Sequence, residues 1–166
     1  MVAGMPATED DLFARLHQLG VSTETHRHPP VFTVAEAQEL RGALPGQHSK
    51  NLFLKDKKGG LWLVVADEDR IVDLKALRRL IGSAPLSFAS AQTLRAVLGV
   101  EPGSVTPFAL INDAEGAVRV VLDAGMMVAD ILNFHPLANT ATTAVSPDGL
   151  MAFIRSCGRE PLIIAF

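Results

Sequence analysis

Two apolar segments joined by a polar turn constrain the fold more than anything else in this chain. Residues 48–55 (HSKNLFLK) read as a strand, residues 56–60 (DKKGG) as a tight turn and residues 61–66 (LWLVVA) as the returning strand. Alternating apolar segments around a Gly-containing turn are a hairpin signal. Alternation puts Lys50, Leu52 and Leu54 on one face of the first strand, and Asn51, Phe53 and Lys55 on the other. A lysine sharing a face with two leucines either snorkels to water or serves a site, and from this segment alone both readings stand.

Helix signals flank the hairpin. Thr8 opens a helix with Asp10 and Asp11 in its first turn, where the dipole favours acids. Leu12, Phe13, Leu16 and Leu19 recur at helical spacing, and Gly20 ends the run. Residues 21–28 look extended up to Pro29 and Pro30. Thr33 and Glu36 make a capping-box pattern for a helix at 34–40, followed by a Gly/Pro loop at 41–46. Asp73 caps a helix ending near Gly82, Ser90 caps one ending near Gly99, and Ser146 caps a last helix at 147–157 with Pro147 at its first position. Residues 108–112 and 118–122 are expected as strands joined through 113–116, and 162–166 as a final strand. Residues 102–107 form a turn-rich loop, and another loop holds Phe134, His135 and Pro136. Without a regular βαβ rhythm, this is an α+β chain: a mixed sheet with helices on its outside.

Composition bounds the function. The chain has 166 residues, 48% apolar and 20% charged, which suits one folded domain over 1–166 and excludes a disordered polymer. No apolar run approaches the roughly 20 residues of a bilayer span. Residues 1–11 lack the basic start of a signal peptide. Cys157 is the only cysteine and reads as a partly buried thiol. The expected location is the cytoplasm, with no membrane partner.

The formal net charge is −3, which argues against tight binding to long duplexes, so DNA is not an expected partner. Residues 41–80 nevertheless carry nine basic and five acidic side chains, a local +4 on a remainder of −7. A basic face on an acidic protein suits a small anionic partner, such as a nucleotide or one end of a tRNA.

No glycine-rich dinucleotide fingerprint, phosphate-binding loop or nucleophile elbow is present. His26 and His28 share a strand face, but a third ligand at metal-site spacing is missing, so they read as surface histidines. Gly103, Ser104, Val105, Thr106 and Pro107 form a Gly-to-Pro loop that can aim backbone N–H groups at an anion or a polarised carbonyl, though such turns are also common as plain turns. His135, held before Pro136, can donate a hydrogen bond or orient a water; alone, it equally reads as a loop cap.

In this order and spacing, Lys50-Asn51-Leu52-Phe53-Leu54, the Gly103 to Pro107 loop and the segment from Phe134-His135-Pro136 to Asn139-Thr140 resemble the YbaK/prolyl-tRNA-synthetase editing-domain family over nearly the whole chain. His28-Pro29-Pro30-Val31-Phe32 and Arg70-Ile71-Val72-Asp73-Leu74-Lys75 fit the same pattern. The nearest resemblance is to free-standing editing proteins that clear Ala-tRNA(Pro). It implies a central mixed, partly barrel-like sheet surrounded by helices, and hydrolysis of the aminoacyl ester at the tRNA 3′ end without metal or other cofactor.

By the same resemblance, Lys50, Gly103 and His135 carry the reaction. Phe32, Asn51, Ser104, Val105, Thr106, Pro107, Asn139 and Thr140 line the substrate. The partners implied are the acceptor end of mischarged tRNA(Pro) and prolyl-tRNA synthetase. Asn51, where many relatives carry Thr, suits the alanine-editing branch over the cysteine-editing one.

An aminoacyl ester is already activated, so orienting water and stabilising the oxyanion suffice. Backbone N–H groups of the Gly103 loop are the expected oxyanion donors, Lys50 the substrate anchor, and a ribose hydroxyl the positioner of water. The basic 41–80 stretch, with Lys57 and Lys58, is the expected tRNA contact. A tRNA-end or synthetase-binding module without catalysis, and a deacylase for another mischarged tRNA such as Cys-tRNA(Pro) or Ser-tRNA, stay open.

Overall fold

Helix α1 (Glu9–Gln18) starts where its acids sit. The Asp11 N–H donates to the Thr8 hydroxyl while the Thr8 N–H donates to the Asp11 carboxylate, so each satisfies a group the helix start leaves open. Leu12 and Leu16 carry its buried face. The computed structural model that shows this describes residues 5–30, 39 and 44–166. Phe32, and all but Glu39 of the helix expected at 34–40, fall outside those residues.

After α1 the chain forms β1 (Thr23–Arg27), β2 (Gln47–Asp56) and β3 (Leu61–Asp67). The expected hairpin is present, and its register sets Lys50 opposite Ala66 and Asn51 opposite Val65. Its turn is locked by Asp56, whose carboxylate accepts from the Lys58 and Gly60 N–H groups at 2.9 Å each and from the Trp62 indole at 3.2 Å.

Helix α2 (Leu74–Ile81) follows with Asp73 as its cap and Gly82 closing it in the left-handed region. Then come β4 (Leu86–Phe88) and α3 (Ala91–Leu98), capped by Ser90. The remaining elements are β5 (Val118–Asp123), β6 (Leu132–Phe134), β7 (Ala141–Val145), α4 (Pro147–Ser156) and β8 (Leu162–Ile164).

The strands make one mixed eight-stranded sheet in the order β1-β7-β6-β2-β3-β5-β8, with β4 also pairing to β2. Pairs β2–β6, β3–β5 and β5–β8 are parallel; β1–β7, β6–β7, β2–β3 and β2–β4 are antiparallel.

Two apolar clusters flank the sheet. The larger draws on β2, β3, β5, β6 and β7 together with α1, α3 and α4, so the sheet curls round it in a partly barrel-like way. At its centre Phe108 meets Phe134 and Phe153 edge-on, with ring centroids 5.8 and 5.3 Å apart. The smaller cluster lies on the opposite face, where α2 seats Leu77, with Leu74 and Ile81 packed beside it, over Leu54, Trp62, Val64 and Val121.

Residues 108–112 correct the sequence reading: they belong to a 3₁₀ helix, Pro107–Asn112, rather than a strand. Pro107 supplies the helical φ, and the Thr106 hydroxyl accepts from the Phe108 N–H at 3.3 Å. Phe108, Ala109 and Leu110 are buried in succession. A short apolar run does not distinguish a strand from a buried helical turn. Strands β4, β6 and β7 had no counterpart in the sequence reading. Two of them are only three residues long, and β7 (ATTAV) is buried on both faces and so lacks alternation. Phe134, expected in a loop, ends β6.

Candidate active site at the split in the sheet

Strand β2 changes neighbours along one edge. Gln47 and His48 pair with β6, and Leu54–Asp56 pair with β4, with Ala89 N–H reaching the Phe53 carbonyl. Between them, neither β6 nor β4 pairs with residues 49–52, and the sheet splits. Lys50 and Asn51 stand at this split.

The alternation read from sequence holds there. Leu52 and Leu54 enter the smaller cluster and Phe53 the larger. Lys50 therefore belongs to the face that α2 covers further along, and Asn51 to the face of the larger cluster. Both are half-buried. The Lys50 ammonium has no hydrogen-bond or ion-pair partner among the described residues. The Asn51 amide nitrogen donates at 3.4 Å to the Ser49 hydroxyl, while its Oδ1 is buried without a partner. A buried acceptor left unmade costs about 1–3 kcal/mol, so such atoms call for a functional reason.

His135 follows β6 directly. The last β2–β6 pair is His48 with Asn133, so Lys50 and His135 each lie two residues past it on their own segments, beyond the paired stretch. The His135 Nδ1 lies 2.9 Å from the Ala141 carbonyl oxygen. A carbonyl only accepts, so Nδ1 carries the hydrogen and Nε2 of the neutral ring keeps its lone pair. Burial lowers the His135 pKa below the ordinary histidine value; the Ala141 carbonyl works against that, and His28 adds to the lowering.

His28 was read as a surface histidine, and here the structure adds a role. Its ring centroid lies 6.3 Å from that of His135. Its Nδ1 donates to the Pro29 carbonyl at 2.9 Å, leaving Nε2 to accept from the Thr142 hydroxyl at 2.8 Å. The sequence signal was the alternation of β1, visible only once β7 is known to lie beside it. His26 instead faces Glu24 at 3.6 Å.

The Gly103 loop meets the β6–β7 connection. A Cβ on Gly103 would stand 3.4 Å from the Asn139 amide nitrogen, so the small residue lets these two loops approach. Residues Pro102–Ser104 form a single 3₁₀ turn in which the Ser104 N–H is already given to the Glu101 carbonyl at 2.8 Å. That amide is therefore not free for an oxyanion. Ser104, Thr106 and Pro107 are buried, and Val105 packs on the larger cluster. Thr140 is exposed, and its carbonyl accepts from the His28 N–H at 3.0 Å. Leu137, in the same connection, has φ 74, a left-handed conformation that side chains rarely adopt.

The structure thus brings His135 to His28 and Gly103 to Asn139 as two pairs. Lys50 and Asn51 stand on β2 beyond its pairing with β6, and no described contact links Lys50 to His135 or to the Gly103 loop. Clefts flanking α1 are lined by none of Lys50, Gly103 and His135. Cys157 is half-buried, and burial pushes its thiol pKa up. No helix among the described residues is long and apolar enough to cross a membrane.

Comparisons with known proteins converge on one family. Residues 28–153 match the model of the aminoacyl-tRNA editing domain. The prolyl-tRNA synthetase associated domain-containing protein 1 of Xenopus laevis is 42% identical over 161 residues, covering 94% of this chain and 95% of that protein. The prolyl-tRNA editing protein ProX of Acetoanaerobium sticklandii is 36% identical over 148 residues, 89% of this chain and 90% of that one. A solved structure of a candidate trans-editing enzyme for prolyl tRNA synthetase shares the fold at a TM-score of 0.72 with 20% identity, over 97% of this chain and 98% of that one. By its sequence, and in agreement with its fold, the chain belongs to the aminoacyl-tRNA editing domain family.

Proposed function

We propose that this protein, acting as one editing domain over residues 1–166, hydrolyses mischarged tRNA(Pro) in trans, with Ala-tRNA(Pro) as its substrate. One observation carries the reading: a Lys50 ammonium and an Asn51 carbonyl oxygen at the split in the sheet, and a His135 ring nitrogen just after β6, have no partner among the described residues. That is one donor and two acceptors held on a scaffold whose family is aminoacyl-tRNA editing. The ProX relative carries prolyl-tRNA editing in its name.

In this mechanism Lys50 donates to a phosphate or carbonyl oxygen of the aminoacyl-adenosine end. Asn51 Oδ1 accepts from the α-ammonium of the amino acid, and His135 Nε2 accepts from a ribose hydroxyl. Water held by that hydroxyl attacks the ester carbonyl. The carbon–oxygen bond to the ribose breaks, the ribose oxygen takes up one of the water's protons, the other passes to solvent, and the amino acid leaves as its carboxylate. The Gly103 to Pro107 loop encloses the carbonyl, with Asn139 fixing the loop and Thr140 completing the enclosure. Bulk excludes proline from a pocket sized for alanine, whereas one methylene discriminates only about 10–200-fold, so contacts with the tRNA supply the remaining selectivity.

A panel of Ala-, Cys- and Ser-tRNA(Pro) together with cognate Pro-tRNA(Pro), followed by release of labelled amino acid, tests this. Fast release of alanine with proline retained is expected. Release no faster than in buffer from every member would overturn hydrolysis. It would leave the second reading, a synthetase- or tRNA-end-docking module, which the names of the vertebrate relatives favour.

A further inference from the structure

Helix α2 bridges the two ends of β2. Asp67, beside Ser49 at the split, begins the connection into α2, and after the helix the Pro85 carbonyl accepts from the Lys57 N–H at 3.1 Å in the hairpin turn. The helix thus leads from the candidate site to the turn across one sheet face. Its inward side is Leu74, Leu77 and Ile81. Its outward side carries Lys75, Arg78 and Arg79, all exposed, and the helix contains no acid.

Two of the acids nearby are engaged, while Asp69 in the connection before α2 is exposed. The Asp73 carboxylate caps α2 through the Lys75 N–H, and that of Asp56 is held by the hairpin turn and Trp62. Arg70, by contrast, is spent on Asp123. At the far end, Lys57 and Lys58 are exposed in the turn, and Phe88 on β4 is 62% exposed beside Leu54. Cations interleaved with an exposed aromatic, on a helix that contains no acid, match a nucleic-acid backbone with an unstacked base.

We propose that the outward face of α2, continued by the Lys57–Lys58 turn, is the surface on which the phosphates of the tRNA acceptor stem lie while the 3′ end enters the split at Lys50. This rests on the editing reading above and adds the path of the RNA. The partner is an RNA backbone rather than a protein, because the outward cations of α2 and of the Lys57–Lys58 turn outnumber the exposed Leu80 and Ile71 beside them.

The test uses the full chain and the triple substitution Lys75→Glu, Arg78→Glu and Arg79→Glu, with circular dichroism to verify the fold. Binding of unacylated tRNA(Pro) is measured across a salt series. Deacylation is measured on mischarged tRNA and on a 3′-aminoacyl adenosine that lacks the stem. The expected result is affinity weakened by about tenfold or more, with a log–log salt slope shallower by about 2–3. KM for mischarged tRNA rises while kcat/KM on the stemless substrate is unchanged.

Unaltered tRNA affinity and slope would overturn the proposal, as would equal losses on both substrates. Loss of prolyl-tRNA synthetase binding with tRNA binding intact would assign the ridge to a protein instead. If the wild-type protein deacylates nothing, the hydrolysis reading fails separately, and the salt series still decides the ridge.

Discussion

Arg70 grips Asp123 with two donors: its Nε and Nη2 reach the carboxylate oxygens at 3.1 and 3.3 Å, and Asp123 is fully buried. The same carboxylate accepts from the Asp67 and Gly125 N–H groups. It thereby ties the end of β3, which runs beside Ser49, to β5 and fixes the start of the connection to α2. A Cβ on Gly125 would fall 2.6 Å from Arg70 Nη2, so a side chain there would push the end of the arginine aside. Replacing Arg70 with Met leaves a buried carboxylate short of its cation. The expected cost is about 2–3 kcal/mol, below the 3–5 kcal/mol of a wholly buried pair because the arginine side chain is 35% exposed. Urea denaturation of the variant reads this directly.

That pair also sets an acid limit. Burial raises the Asp123 pKa, but Arg70 and the Asp67 and Gly125 amides more than offset it and hold the carboxyl below its ordinary value. The unfolded chain therefore binds the proton first as pH falls. The stability due to Asp123 is present above its unfolded pKa of about 3.9 and is lost as pH drops through the folded value. In Asp123→Asn, stability should fall less steeply between pH 5 and pH 2 than in the wild type, and a urea midpoint series across that range checks it.

Lys50→Ala should lose about 10²–10³ in kcat/KM on mischarged tRNA if its ammonium steadies substrate charge. Its stability should change little, because the ammonium has no internal partner among the described residues. Single-turnover deacylation alongside a thermal melt separates the two effects. Wild-type rates would remove Lys50 from the mechanism.

Asn51→Leu should move activity and stability in opposite directions. The unpartnered Oδ1 costs free energy in the empty site, so its removal should leave Tm unchanged or raised. Loss of an acceptor for a charged ammonium, about 1.5–3 kcal/mol, should reduce kcat/KM by roughly 10- to 100-fold. A fall in Tm with unaltered kinetics would make Asn51 structural.

His135 should remain neutral to lower pH than an ordinary histidine. Its folded pKa is depressed, so stability is full above about pH 6.5 and declines as pH falls below it, where the unfolded chain protonates first. The acid limb of kcat/KM should accordingly lie below pH 6.5. Replacing His28 with Asn removes the electrostatic opposition of the His28 ring to protonation of His135 and should shift that limb upward. A limb at or above pH 6.5 in the wild type would contradict a buried neutral imidazole acting as acceptor.

What the sequence determined by itself was local. The caps at Thr8, Asp73, Ser90 and Ser146, the hairpin turn and the alternation of Lys50 with Asn51 all follow from preferences within a few residues of each chain position, which is why they were legible. The helical turn at 107–112 and the short strands β4, β6 and β7 were not, because their conformations are set by burial against distant partners rather than by their own pattern. The same is true of the site. The residues themselves were visible in the chain, but only long-range pairing decided that β6 and β4 part along β2, that His28 comes to His135 across β7, and that Gly103 meets Asn139. Those approaches join positions tens of residues apart, and no local preference of the backbone encodes a distance of that kind.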